Sequence, residues 1–204
     1  MTGRRTALVT AAFAVTGILS SCADMLLAGP LPEDQWEEVF EFELDPGTRS
    51  AAEVERTVGG IIPDGRIVPG SAAHRASIQA PSGRVDFYDF RVADSEMGPQ
   101  PVFCSAMVSG TSMGAGCGNE PGIVEGPVQP GAESWGDRWR SAEFLVEANV
   151  ARVDAIAGDG TVYTIIPANG LGYVEWLDER GPLDLVAFDA QGQELGRSFT
   201  ESGG

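Results

Sequence analysis

The chain has 204 residues, and its 30 acidic side chains against 13 basic ones give a formal charge of −17, a balance that repels a phosphate backbone and excludes a basic nucleic-acid binder. Every basic residue is an arginine, and Gly (27) and Pro (13) are abundant, which favours turns and strands. A hydrophobic share of 43% is enough to build a core, so the chain is not a disordered acidic tail, and its length suits one ordinary domain.

Residues 1–21 carry Arg4 and Arg5, no acidic residue, and an apolar run from Ala7 to Leu19. This is the layout of a secretory signal peptide. At ~1.5 Å per residue a helix over that run falls short of the ~30 Å hydrocarbon core, which disfavours a permanent span. The run ends in Leu19-Ser20-Ser21-Cys22, which resembles the lipobox of bacterial lipoprotein precursors. The resemblance implies cleavage before Cys22, a diacylglyceryl thioether on its sulfur, acylation such as palmitate on its new amine, and a body anchored by lipid on the extracytoplasmic face of the cell membrane. Two or more acyl chains give stable retention where one does not. Thr6-Ala7-Leu8 after the arginine pair departs from the twin-arginine pattern, and the export route stays open. Loss of the leader removes two arginines and no acid, so the anchored body is more acidic than the whole chain.

With Cys22 assigned to lipid, Cys104 and Cys117 remain as an even pair for an oxidising compartment. A structural disulfide there closes a short glycine-rich loop and stabilises by roughly 3 kcal/mol in the chain-entropy account. Zinc needs more ligands than two distant thiols and one histidine, and a redox pair usually has closer C-x-x-C spacing.

Residues 22–35, with two prolines and little periodicity, read as a lipidated tether, and the domain proper spans 36–204. Glu38 to Leu44 alternates, with Phe40, Phe42 and Leu44 on one face of a half-buried strand. Residues 49–58 are the best helical candidate, with Ala52, Val54 and Val58 as the apolar face. His74, the lone histidine, reads as an exposed loop residue. Arg84 to Val92 and Val102 to Val108 read as an antiparallel pair, with Cys104 on the second strand.

Residues 119–134 contain several prolines and glycines and read as a long surface loop. From Phe144 onward the strands sharpen. Val150–Ala157 and Thr161–Ile166 flank Gly158-Asp159-Gly160, a hairpin signal because Asp-Gly supplies positive φ. Tyr173–Leu177, Leu183–Phe188 and Glu194–Phe199 follow between turns. Short strands at this spacing predict an all-β fold, an antiparallel β-sandwich (Ig-like or related) with at most one short helix.

No catalytic set emerges. Gly110-Thr111-Ser112-Met113 looks like the serine signature of subtilisin-type proteases, but the match breaks at Gly114-Ala115-Gly116-Cys117, a run hostile to the helix that family's nucleophile opens. Gly114, Gly116 and Gly118 lack the spacing and the following helix of a phosphate loop. The acidic set Glu33, Asp34, Glu37, Glu38, Glu41, Glu43 and Asp45 reads as a solvated face, and the Asp-x-Asx-x-Asx-Gly calcium loop is absent from the sequence. No metal or cofactor is expected. Trp135, Arg138, Trp139 and Arg140, with Trp176, form the candidate binding patch, since indole faces stack on sugar rings and guanidinium groups. The alternative is that the tryptophans cap the core and the arginines pair with acids. The functional expectation is a lipid-anchored, non-enzymatic module that binds an unknown protein or carbohydrate. A hydrolase with a carboxylate site or a structural spacer is the alternative.

Overall fold

The computed structural model describes residues 29–62, 66–93, 100–110, 112–118 and 126–200. The leader, Cys22, most of the 97–101 turn and residues 119–125 lie outside the described residues. The strands are β1 (Glu41–Glu43), β2 (Asp45–Pro46), β3 (Ala73–Ala80), β4 (Gly83–Val92), β5 (Val102–Ser109), β6 (Ser112–Gly118), β7 (Val128–Trp135), β8 (Trp139–Val146), β9 (Arg152–Ala157), β10 (Val162–Ile166), β11 (Leu171–Leu177), β12 (Leu183–Phe188) and β13 (Glu194–Phe199), with one α-helix, α1 (Ala51–Ile61).

These strands form three sheets, in the orders β1-β10-β9-β12-β13, β11-β8-β7 and β2-β3-β4-β5-β6. Pairing is antiparallel except between β1 and β10, which run parallel. The fold is all-β and sandwich-like, as the spacing of short strands predicts. The β9–β10 hairpin turns at Gly160 with φ +87°, and Asp159 Oδ1 accepts from the Thr161 amide at 2.8 Å, the local chemistry that makes Asp-Gly a turn.

Period-two alternation delivers the main core. Val153, Ala155 and Ala157 of β9, Leu183, Leu185 and Ala187 of β12, and Ala142, Phe144 and Val146 of β8 point inward and meet Ile78, Val85 and Phe87 of the third sheet. Every residue of β11 is buried. Such a strand is packed on both faces: Phe87 meets Tyr173 edge-on at 5.3 Å, while the Cβ of an alanine at 172 would stand 2.0 Å from the Phe144 ring. Burial of each large side chain here contributes about 1.5–3 kcal/mol.

The third sheet has a second buried face. Tyr88, Phe90 and Val92 of β4, with Cys104 and Ala106 of β5, lie under Val54 and Val58 of α1. The helix starts where Ser50 donates its amide to Glu53 Oε2 at 3.0 Å, part of a capping box. Its apolar face is Val54, Val58 and the half-buried Ile61; Ala52, assigned to that face by the sequence reading, is exposed.

Four further expectations change. Phe40 is 50% exposed: it precedes β1, which begins only at Glu41, and covers the buried Tyr163 ring from the solvent side at 6.3 Å. The loop expected over 119–134 contains β7, an edge strand whose register shifts between Pro130 and Glu133; proline is tolerated there because an edge strand has amides that no neighbour needs. The segment between the cysteines is no flexible loop but the β5–β6 hairpin. The described end of the expected tether is docked: Leu31 donates its amide to the Pro81 carbonyl at 2.8 Å, and Glu33–Glu38 is a 3-10 turn that buries Trp36.

Candidate functional site

The candidate patch sits on the β7–β8 hairpin, and the fold divides it. Trp176 belongs to the core: it is 1% exposed and its Nε1 donates to the Gly181 carbonyl at 2.8 Å. It therefore leaves the patch, because a strand packed on both faces has no outward side. Trp139 is half-buried and tilts against Trp36 with ring centroids 5.8 Å apart, close enough to Gly136 that a Cβ there would be 2.2 Å from the indole nitrogen. Trp135 stands outside at 57% exposed.

Both arginines have acidic partners. Arg140 pairs with Asp178, and Arg138 lies 3.7 Å from Glu33 with both side chains mostly exposed, an ion pair of little energetic weight. The hairpin thus offers one free indole face beside a Trp36–Trp139 pair and an Arg138–Glu33 rim. Trp36 is the contributor that the sequence reading missed; nothing local marks it, since its contact arises from the fold.

His74 is the clearest correction. It lies on β3, its side chain 1% exposed, rather than in an exposed loop. Nδ1 accepts from the amides of Thr48 (3.1 Å) and Arg49 (3.4 Å), while Nε2 faces Asp86 Oδ1 at 3.3 Å. An acceptor Nδ1 requires the tautomer protonated at Nε2. Burial holds the imidazole pKa below its ordinary value, opposed by the Asp86 charge and aided by Arg49 and Arg84. Asp86 is held in turn by Arg49 and by Arg84 Nη2 at 3.0 Å.

Nδ1 is engaged by two amides and Nε2, which carries the proton, lies beside Asp86, so neither is placed to take a proton from a nucleophile. Ser112 opens a strand rather than a helix, and β6 is three strands away from β3 in the same sheet, about 14 Å at the usual strand spacing. The chemistry implied by the protease-like tetrapeptide has no geometry to support it here.

Three carboxylates outside this cluster, the half-buried Asp89 and Glu143 and the buried Glu175, matter electrostatically. Arg75, thrown out by the bulge between His74 and Ala76, reaches the carbonyls of Asn169 (3.2 Å) and Gly170 (3.3 Å) and lies 3.5 Å from Asp89. Burial raises the pKa of Asp89 against the pull of Arg75, and burial raises that of Glu143, with the Asp89 charge adding to the effect. Arg75 is thereby committed to the 167–170 loop that joins β10 of the first sheet to β11 of the second. Glu175 accepts from the Ser82 amide (2.8 Å), Ser82 Oγ (2.5 Å) and Tyr173 Oη (2.7 Å); it ties the β3–β4 turn to β11.

A second exposed apolar strip crosses the outer face of the first sheet, where Val162, Ile156, Asp184 and Phe199 pair in one row; Phe199 is 71% exposed. Pro182 and Gly158 close one end of the shallow groove beside it. Among the described residues no three His, Cys, Asp or Glu side chains are grouped to hold a metal ion, and no helix is long and apolar enough to cross a membrane. The Cys104 and Cys117 sulfurs are at bonding distance, 2.03 Å. Comparison with protein-family models, curated proteins and solved structures finds no match for this chain.

Proposed function

We propose that the protein is a lipid-anchored extracytoplasmic module that binds a protein or carbohydrate ligand through the β7–β8 hairpin. The observation that carries the reading is the cysteine arithmetic: Cys104 and Cys117 face each other across β5 and β6 at bonding distance. That pairing suits an oxidising compartment and leaves Cys22, at the end of the apolar leader, as the odd thiol. Trp135 supplies the ligand-facing group, because an indole exposed beside a charged rim suits stacking on a sugar ring or an arginine.

Replacement of Cys22 by alanine tests the anchor. Wild-type protein partitions with membranes and its mature N-terminal peptide carries acyl mass; the variant is released or accumulates as unprocessed precursor. A variant that still matures and still requires detergent for release overturns the reading.

A further inference from the structure

We propose that the Cys104–Cys117 disulfide is a thiol-exchange site, attacked at Cys117 Sγ by a protein dithiol, and that its opening frees β6 from the sheet. The two sulfurs are unequally placed. Cys104 is 0% exposed and lies in the apolar cluster under α1, whereas Cys117 is exposed on the edge strand. Exchange requires an attacking thiolate in line with the S–S bond. In-line approach to Cys104 passes through packed side chains; approach to Cys117 comes from solvent.

The strand itself is weakly held. Residues 113–117 are all exposed, and a Cβ added at Gly114 or Gly116 would meet nothing within 4 Å, so no layer covers the face those two glycines line. What holds β6 is its ladder to β5, the cross-link and a small contact with α1. The Cα atoms of the two cysteines are 4.0 Å apart, nearer the ~4.5 Å of a pair that exchanges no backbone hydrogen bonds than the ~5.5 Å of one that does. The disulfide therefore closes a point where the ladder offers no bond of its own.

In the first step the donor thiolate forms a bond to Cys117 Sγ, and the electron pair of the S–S bond leaves with Cys104 as a thiolate. In the second, the donor's other thiolate attacks its own mixed-disulfide sulfur and expels Cys117 as a thiolate. The donor ends as a disulfide, this protein gains two electrons, and the protons of the donor thiols end on Cys104 and Cys117. An apolar pocket disfavours the departing Cys104 thiolate, so a monothiol exchanges sparingly and a dithiol drives the reaction through. Encounter with such a donor outside the cytoplasm rests on the export reading; the chemistry does not.

The test uses the purified full mature chain, oxidised, without denaturant. Limited glutathione followed by alkylation and peptide mapping places the mixed disulfide on Cys117, with Cys104 alkylated. Dithiothreitol reduces the bond fully, and hydrogen-exchange mass spectrometry then shows amides of 112–118 exchanging more than about tenfold faster while those of β9 and β12 are unchanged. A glutathione adduct on Cys104, reduction only at denaturant concentrations that unfold the whole chain, or unchanged exchange in β6 after full reduction each overturns the proposal. Membrane fractionation, read separately, decides the export reading without bearing on these outcomes.

Discussion

Nε2 of His74 stands 3.3 Å from Asp86 Oδ1, and the other ring nitrogen receives the amides of Thr48 and Arg49 just before α1 begins. The ring therefore joins β3, β4 and the entry to the helix, and it does so in its neutral form. Its pKa in the folded state lies below the ordinary 6.5, chiefly through burial. As pH falls through about 6.5 the unfolded chain takes up the proton first, so stability is present above that value and is lost below it.

Urea unfolding between pH 7.5 and 5.5 should therefore show a declining midpoint, with a slope bounded by about 1.4 kcal/mol per pH unit for one group. His74→Asn keeps an acceptor near the Nδ1 position and removes the titration, and should flatten the decline. Equal slopes in the two proteins would show that His74 does not titrate against folding. The difference between the two proteins isolates the chain's single histidine from the buried acids Asp89, Glu143 and Glu175, whose raised pKa values are common to both.

Glu175 gives the opposite sign. Burial raises its pKa above 4.5 despite three donors, so the unfolded chain ionises first as pH rises. Stability from this group is full below about 4.5 and falls as pH rises through the folded value. Glu175→Ala leaves the Ser82 amide and Tyr173 hydroxyl without their acceptor and should cost about 2–4 kcal/mol at neutral pH. Glu175→Gln keeps one acceptor, loses less, and removes the pH dependence; a glutamine variant as unstable as alanine would mean that packing, not hydrogen bonding, holds the β3–β4 turn.

The regular strands were legible because their signal is local. β9 alternates over all six of its residues and ends at a glycine turn, so period and punctuation agree, while β4 and β12 are marked by apolar and aromatic runs bounded by turns. β7 was obscured because Pro130 and Gly131 read as loop chemistry, and only its place at a sheet edge makes them tolerable. His74 was misread for a deeper reason: its acceptor role depends on amides 25 and 26 residues earlier and on an aspartate paired beside it by register, which no window around residue 74 contains. The patch failed at Trp176 because that residue joins Trp135 and Trp139 by kind alone, while burial of both faces of β11 follows from how the sheets stack. The cysteine pair was found by counting, yet its unequal exposure came only with the edge position of β6.

Two glycines separate fold from patch. At Gly172 a Cβ would stand 2.0 Å from the Phe144 ring, inside the core, so Gly172→Ala should destabilise by about 1–3 kcal/mol through overpacking, read as a lower denaturation midpoint. At Gly136 the obstruction is the Trp139 indole on the surface, which can rotate away. Gly136→Ala should leave the midpoint within about 0.5 kcal/mol and shift tryptophan emission to the red as Trp139 leaves Trp36. A large loss of stability in Gly136→Ala would make the Trp36–Trp139 contact a part of the fold rather than of a binding surface.

Trp135 and Trp176 sit two strands apart in kind: one 57% exposed at a hairpin tip, the other 1% exposed with its indole nitrogen bonded to Gly181. Trp176→Ala removes a buried aromatic and should cost about 3–5 kcal/mol, enough to unfold a marginal domain. Trp135→Ala strips an exposed ring and should change the midpoint by less than about 0.5 kcal/mol. If the hairpin is the binding surface, the same substitution removes most retention of the mature protein on immobilised cell-envelope polysaccharide or on an envelope protein eluate, because a central aromatic anchor commonly accounts for about 2 kcal/mol or more, a factor of about 30 in affinity. Arg138→Ala, at the rim and paired loosely with Glu33 at 3.7 Å, should weaken retention only slightly and mainly at low salt. Folded Trp135→Ala protein that is retained as strongly as wild type would move the search to the Val162–Phe199 strip on the first sheet, where Phe199→Ala is the corresponding variant.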